Sequence, residues 1–229
     1  DGIRDDLVTG VQTCALPILM AAPAALVIAK ILQPETEESA TAGDIKMVVE
    51  KTDANGIDAA ASGAGTGLHL ALNVGAMLLA FVALLAMFNG LTGWISDLSG
   101  LTDVIGSQLT IEMLLGWVIA PIAWIVGVPW EDATNMGSLL GTKIVLNEFV
   151  AYLKLAEEVA AASIGPKTIA MATFALCGFA NFSSIAIQIG GIGGLAPSRK
   201  SDLAKFGLKA VFAGTMANLM TATIAGMLF

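Results

Sequence analysis

Two polar clusters lie inside long apolar runs of this 229-residue chain. The first is IVLNEFVAYL, residues 144–153, where Asn147 stands beside Glu148. An ionised carboxylate moved into hydrocarbon is costly unless it is paired, hydrated or hydrogen-bonded. Glu148 is therefore either a core glutamate satisfied by a neighbour or part of a binding site. The second cluster is CGFANFSSIAIQIGGIGG, residues 177–194, which carries Asn181, Ser183, Ser184 and Gln188. Asn181 and Ser184 are three apart and share a face on a helix. Alone, this cluster fits interhelical hydrogen bonding and small-residue packing as well as it fits a site. Together, a carboxylate, an amide and a hydroxyl can accept from and donate to vicinal hydroxyl groups. That chemistry suits a sugar better than an apolar or cationic substrate. It offers no metal site: the single histidine, His69, opens an apolar helix and reads as interfacial. Cys177 has no histidine near it to make it a nucleophile and reads as a packing residue. Glu157 and Glu158 read as solvated.

The elements that must position these residues are membrane helices. The chain is 56% hydrophobic and 13% charged, with a mean hydropathy of +0.80, whereas soluble domains carry about 25% charged residues. Several apolar stretches match the roughly 20 residues a helix needs to span hydrocarbon, and the alternation expected of β-barrel strands does not occur. A net charge of −8 without a basic patch argues against nucleic acid as a partner. Residues 1–18, DGIRDDLVTGVQTCALPI, are set apart. DGIRD and VTGVQTCALPI are translations of the two constant arms of a common sequencing adapter. We therefore read 1–18 as an adapter-derived artefact and exclude it from fold reasoning. The natural protein is then expected to begin upstream of Leu19, making this chain an N-terminally truncated fragment.

Apolar helices are expected over Leu19–Leu32, His69–Ile95, Leu109–Val128, Met136–Glu158, Lys167–Ile189 and Phe206–Phe229. A polar loop, 33–67, carries a short surface helix around Gly56–Ala64, and a Gly/Pro/basic turn fills 190–205. Between Leu91 and Thr142 there is no Lys or Arg, while Arg199, Lys200, Lys205 and Lys209 cluster before the last helix. By the positive-inside rule the first region is external and the second cytoplasmic. The two segments between 96 and 166 then start and end outside, so each is interfacial or re-entrant. Glu148 falls at the tip of a re-entrant hairpin, facing the free N–H groups of a helix start near Phe149. Polar groups in two interrupted helices are the pattern of a transporter's midplane site. The four Trp fall where an outer aromatic belt would lie.

GTKIVLNEFVAY (141–152), ALCGFANFSSIAIQIGGIGGLAPSRK (175–200), GWVIAPIAWIVGVPWEDA (116–133), AAPAALVIAKILQPETE (21–37) and FNGLTGW (88–94) resemble the concentrative nucleoside transporters. The resemblance covers Leu19–Phe229 and is to the C-terminal part of the family core. It implies an all-α integral membrane protein containing the second inverted repeat of a transporter core, with a re-entrant helical hairpin and a broken helix. Residues 19–32 would end a helix of the transport domain and 33–67 would be cytoplasmic. Residues 68–135 would hold a scaffold transmembrane helix and an external interfacial helix. Residues 136–166 would form the hairpin, and 167–229 the broken helix and the final transmembrane helix. The resemblance further implies a multi-pass homotrimer in the cell inner (plasma) membrane that imports nucleosides by symport with sodium or protons. It needs no other cofactor, and its ion site and base-reading hairpin are expected in the missing N-terminal part. Positions matching Glu148, Asn181 and Ser184 would bind ribose hydroxyls, with Asn147 beside them, and Phe179 would line the pocket. An intramembrane hydrolase using Glu148 would need a second carboxylate, a nucleophile with its base, or a metal set at depth, and the sequence offers none. The alternative is a family-like membrane protein without transport activity. Loss of Glu148 or Asn181 would have favoured it, and both are present.

Overall fold

The computed structural model describes residues 2–36, 54–195 and 197–229, and every regular element among them is helical. Nine α-helices follow in order: α1 (Gly2–Leu32), α2 (Gly56–Leu98), α3 (Leu101–Ile105), α4 (Ile111–Val126), α5 (Trp130–Val145), α6 (Glu148–Ala160), α7 (Pro166–Leu176), α8 (Phe182–Leu195) and α9 (Lys200–Gly226). A short 3-10 turn, Pro197–Arg199, precedes α9.

The separate surface helix expected at 56–64 does not form. It is the start of α2, one unbroken 43-residue helix, about 65 Å long at 1.5 Å per residue. Its start is fixed by Asn55, whose Oδ1 accepts from the backbone N–H groups of Ile57 and Asp58 at 3.0 Å each. Gly63, Gly65 and Gly67 lie within the helix where the loop was expected to end. A glycine lowers helix propensity by about 1 kcal/mol without forcing a turn, and these three have open space around them. The turn expected over 190–205 also shrinks: α8 runs to Leu195 and α9 begins at Lys200, so Lys200, Lys205 and Lys209 sit on the last helix itself. α1 likewise extends back from Leu19 to Gly2.

α4 and α5 form a V whose arms differ in direction by 118°. The corner is Gly127, with φ of +114°, a left-handed conformation only glycine adopts without strain. The arms approach closely because Gly116, Gly137 and Gly141 line the contact. A Cβ on Gly137 would lie 2.5 Å from the Gly116 carbonyl oxygen. α5 and α6 form an antiparallel hairpin, shown by the hydrogen bond from Asn135 Nδ2 near its start to Glu158 Oε2 near its end, 3.1 Å. Its first arm begins at Trp130, six residues before the expected Met136. The turn WEDATN is polar, but Glu131 and Asp132 complement a helix N-terminus. Glu158 also accepts from Ser163 Oγ, so it is a hairpin brace rather than a solvated carboxylate. The buried core gathers Ala120, Ala123, Met136, Leu139, Leu140, Ala151, Met171, Ala175, Leu176 and Ala222 from α4 to α7 and α9.

Among the described residues α9 alone is long and apolar enough to cross a membrane, and the α4–α5 pair qualifies as one bent span. Trp94, Trp117, Trp124 and Trp130 are all exposed, and Trp124 meets Trp130 edge-to-face at 6.1 Å.

Candidate binding site between the hairpin tip and the broken helix

α5 stops at Val145, and Leu146 turns the chain with φ −98° and ψ −92°. Asn147 then caps α6, its Oδ1 accepting from Val150 N–H at 3.0 Å. Glu148 is thereby placed in the first turn of α6, where the helix dipole favours its charge. The second interruption runs from Cys177 to Asn181, between α7 and α8. Gly178 permits it: a Cβ there would come within 2.7–2.8 Å of the Asn218 amide on α9. Asn181 restarts the helix, its Oδ1 accepting from Ser184 N–H at 2.8 Å, Ser184 Oγ at 2.8 Å and Ser183 Oγ at 2.7 Å. Both helix starts are thus capped by an asparagine, a residue whose side chain satisfies orphan N–H groups.

The two interruptions meet. Asn181 Nδ2 donates to Glu148 Oε2 at 2.9 Å, across 33 residues of sequence. Asn181 is 1% exposed and Ser184 6%, while Glu148 and Asn147 are half-buried. That bond uses Oε2, and the second carboxylate oxygen, Oε1, is an acceptor a hydroxyl can use. A cavity of about 640 Å³ opens beside the break and is lined by Phe179, Ser184 and Gln188 together with Asn218, Phe206 and Arg199. Phe179 is 71% exposed. Glu148, Asn147 and Asn181 are not on that wall. The five candidate residues therefore divide: Glu148, Asn181 and Ser184 form one bonded chain, Phe179 and Ser184 share the cavity, and Asn147 holds the hairpin tip. His69 is exposed and Cys177 half-buried.

Several participants were not singled out from sequence. Asn218 is 4% exposed, and its Nδ2 has no partner among the described residues; an amide at a small-residue position of α9 gave no periodic signal. Lys143 has no exposed surface, and its Nζ donates to the Ala175 carbonyl at 2.8 Å. Glu112 on α4 stands inside an apolar helix. It accepts from Lys154 Nζ of α6 at 2.6 Å and from Asn89 Nδ2 of α2 at 2.8 Å, while Asn89 Oδ1 accepts from Ile111 N–H at 2.9 Å. One buried carboxylate therefore ties the long helix α2, the start of α4 and the second arm of the hairpin together.

Lys154→Met is expected to destabilise the protein more than the pair Lys154→Met with Glu112→Gln. The single change strands a buried carboxylate, and the double change removes the charge as well. About 1–3 kcal/mol is expected for the single change, less than the roughly 3–5 kcal/mol of a fully buried pair, because Lys154 keeps 31% of its side-chain surface open. Thermal unfolding in detergent of wild type and the two variants reads the difference.

A helical bundle in which a hairpin tip meets a broken helix across polar groups belongs to the architecture of secondary transporters. The family described as "Na+ dependent nucleoside transporter C-terminus" matches residues 16–226, and the chain belongs to that family. It is 57% identical over 209 residues to an uncharacterized transporter, YutK, of Bacillus subtilis, covering 91% of this chain and 50% of that one. It is 45% identical over 211 residues to the nucleoside permease NupC of Helicobacter pylori, covering 91% and 49%. Among solved structures it is similar to CNTnw in an inward-facing substrate-bound state, with a TM-score of 0.74 and 48% identity over 90% of this chain and 47% of that one. The chain thus spans about half the length of these two relatives. These relatives are transporters and permeases, not enzymes, and the family is one of integral membrane proteins.

Proposed function

We propose that the full-length protein is a symporter that imports nucleosides across the cytoplasmic membrane, driven by a sodium or proton gradient. The observation that carries this reading is the Asn181–Glu148 bond, which joins the hairpin tip to the broken helix in a chain whose family is sodium-dependent nucleoside transport. In this reading Glu148 Oε1, Asn181 and Ser184 bind the ribose hydroxyls. A carboxylate accepts from a sugar hydroxyl through a charge-assisted bond, about twice as strong as a neutral one. Phe179 offers an apolar face to the nucleoside, and Asn147 fixes the tip. Asn218 adds a donor at the edge of the cavity, whose volume of about 640 Å³ lies in the range of small-molecule sites.

The finer reading places the hairpin as a re-entrant element of an inverted repeat, in a multi-pass homotrimer of the inner (plasma) membrane, in contact with lipid and not with nucleic acid. Sodium is the favoured ion because the family's description names it. Uptake of labelled uridine and adenosine by the full-length gene, in a host without nucleoside carriers, tests this. Accumulation that collapses when the sodium or proton gradient is dissipated is the expected result. No uptake from correctly inserted protein would leave a family-like membrane protein without transport.

A further inference from the structure

Lys143 is a lysine without any exposed surface, four residues before the hairpin tip. An ammonium in such a place destabilises the fold unless its charge is matched. What matches it is the end of α7. That helix stops at Leu176; Cys177 and Gly178 N–H groups take the Phe174 and Leu176 carbonyls, and the Thr173 and Ala175 carbonyls are left to side chains. Lys143 Nζ bonds the Ala175 carbonyl at 2.8 Å. The Tyr152 hydroxyl, from the other arm, bonds the Thr173 carbonyl at 2.7 Å. Both arms of the hairpin therefore cap one helix end, which carries the negative pole of its dipole. The Glu148 carboxylate also bears on the Lys143 ammonium, without closing to an ion pair.

Carbonyls at the C-terminal ends of half-helices are groups that coordinate mobile cations in secondary transporters. Here a side chain already occupies that position. We propose that Lys143 is a tethered cation at the carboxyl end of α7, standing where a mobile monovalent cation would otherwise sit, and that it positions the hairpin tip so that Glu148 meets Asn181. Its charge is covalently held, so this helix end does not exchange ions during a transport cycle. Lys143 is a positioning residue: it touches the helix end and acts on substrate through Glu148. This inference rests on the reading of Glu148 and Asn181 as the nucleoside site.

The test uses the purified full-length protein and its Lys143→Ala variant, each with propylammonium, with 1-propanol as a neutral analogue, or with neither. Melting temperature and uridine binding are both measured. Lys143→Ala is expected to melt lower and to bind uridine at least tenfold more weakly. Propylammonium should restore a substantial part of both, 1-propanol should not, and wild type should respond to neither. Equal rescue by propanol would reduce Lys143 to a packing role and overturn the proposal. So would unchanged binding and melting in Lys143→Ala, or failure of every additive to restore either property. If Lys143→Ala is recovered only when propylammonium is present during purification, the proposal stands on that recovery. The melting arm needs no nucleoside, so absence of uridine binding by wild type would count against the proposed function alone.

Discussion

Glu148→Gln in the full-length protein is expected to lower nucleoside uptake roughly 10- to 100-fold while the protein still inserts in the membrane. Glutamine keeps the side chain's size and one acceptor for Asn181 Nδ2, which now lies 2.9 Å from Glu148 Oε2. It loses the negative charge and the second acceptor. A hydrogen bond to a charged group contributes about 1.5–3 kcal/mol, and each 1.4 kcal/mol is about a factor of ten in affinity. The fold should tolerate the change because Glu148 is half-buried and makes no ion pair among the described residues. Asn181→Ala should act in the same direction, but less cleanly. It also removes the acceptor for Ser183 and Ser184 at the start of α8, and losing such a cap costs about 0.5–2 kcal/mol. Glu157→Gln, on the exposed face of α6, is the control and should change little. Initial uptake rates of labelled uridine, normalised to protein in the membrane, read all three.

Gly137→Leu is expected to abolish folded protein. The Cβ alone would lie 2.5 Å from the Gly116 carbonyl oxygen and 3.0 Å from the Ala120 nitrogen. Both are helix backbone, so relief requires α4 and α5 to separate. Overpacking a tight contact typically costs about 1–3 kcal/mol for a few extra methylenes, and here the whole side chain lacks space. The loss would propagate, because α5 carries both Lys143 and the first arm of the hairpin. Size-exclusion profiles in detergent should show aggregate for Gly137→Leu, where Gly63→Leu on open α2 surface stays monodisperse. A monodisperse Gly137→Leu protein would show that the α4–α5 contact is not formed as described.

What the sequence made legible is local. The break at Asn147–Glu148 was visible, as was the polar cluster of Asn181, Ser183 and Ser184, because a polar residue inside an apolar run needs a structural reason; the broken helix beside that cluster is what the family resemblance implied. The asparagine caps act within three residues, so their chemistry is written in the neighbouring sequence. What was hidden is tertiary. Lys143 reaches a carbonyl 32 residues away, Lys154 reaches Glu112 across 42 residues, and Asn89 reaches Glu112 across 23. No periodicity encodes such pairings, and each residue alone reads as an ordinary helix charge or amide. The start of α5 was misplaced for a similar reason. Apolar periodicity begins at Met136, while the helix begins with its polar, acidic turn at Trp130.

In the proposed function the hairpin tip and the broken helix read the sugar of a nucleoside. The most direct measurement is competition against labelled uridine uptake by unlabelled uridine and by 2′,3′-dideoxyuridine, in the wild-type full-length protein and in Glu148→Gln. Wild type is expected to favour uridine roughly 10- to 100-fold, the worth of one charge-assisted hydroxyl contact, and Glu148→Gln should lose most of that preference. Equal competition by the two compounds in wild type, or an undiminished preference in the variant, would contradict the account and return Glu148 to the role of a satisfied core carboxylate.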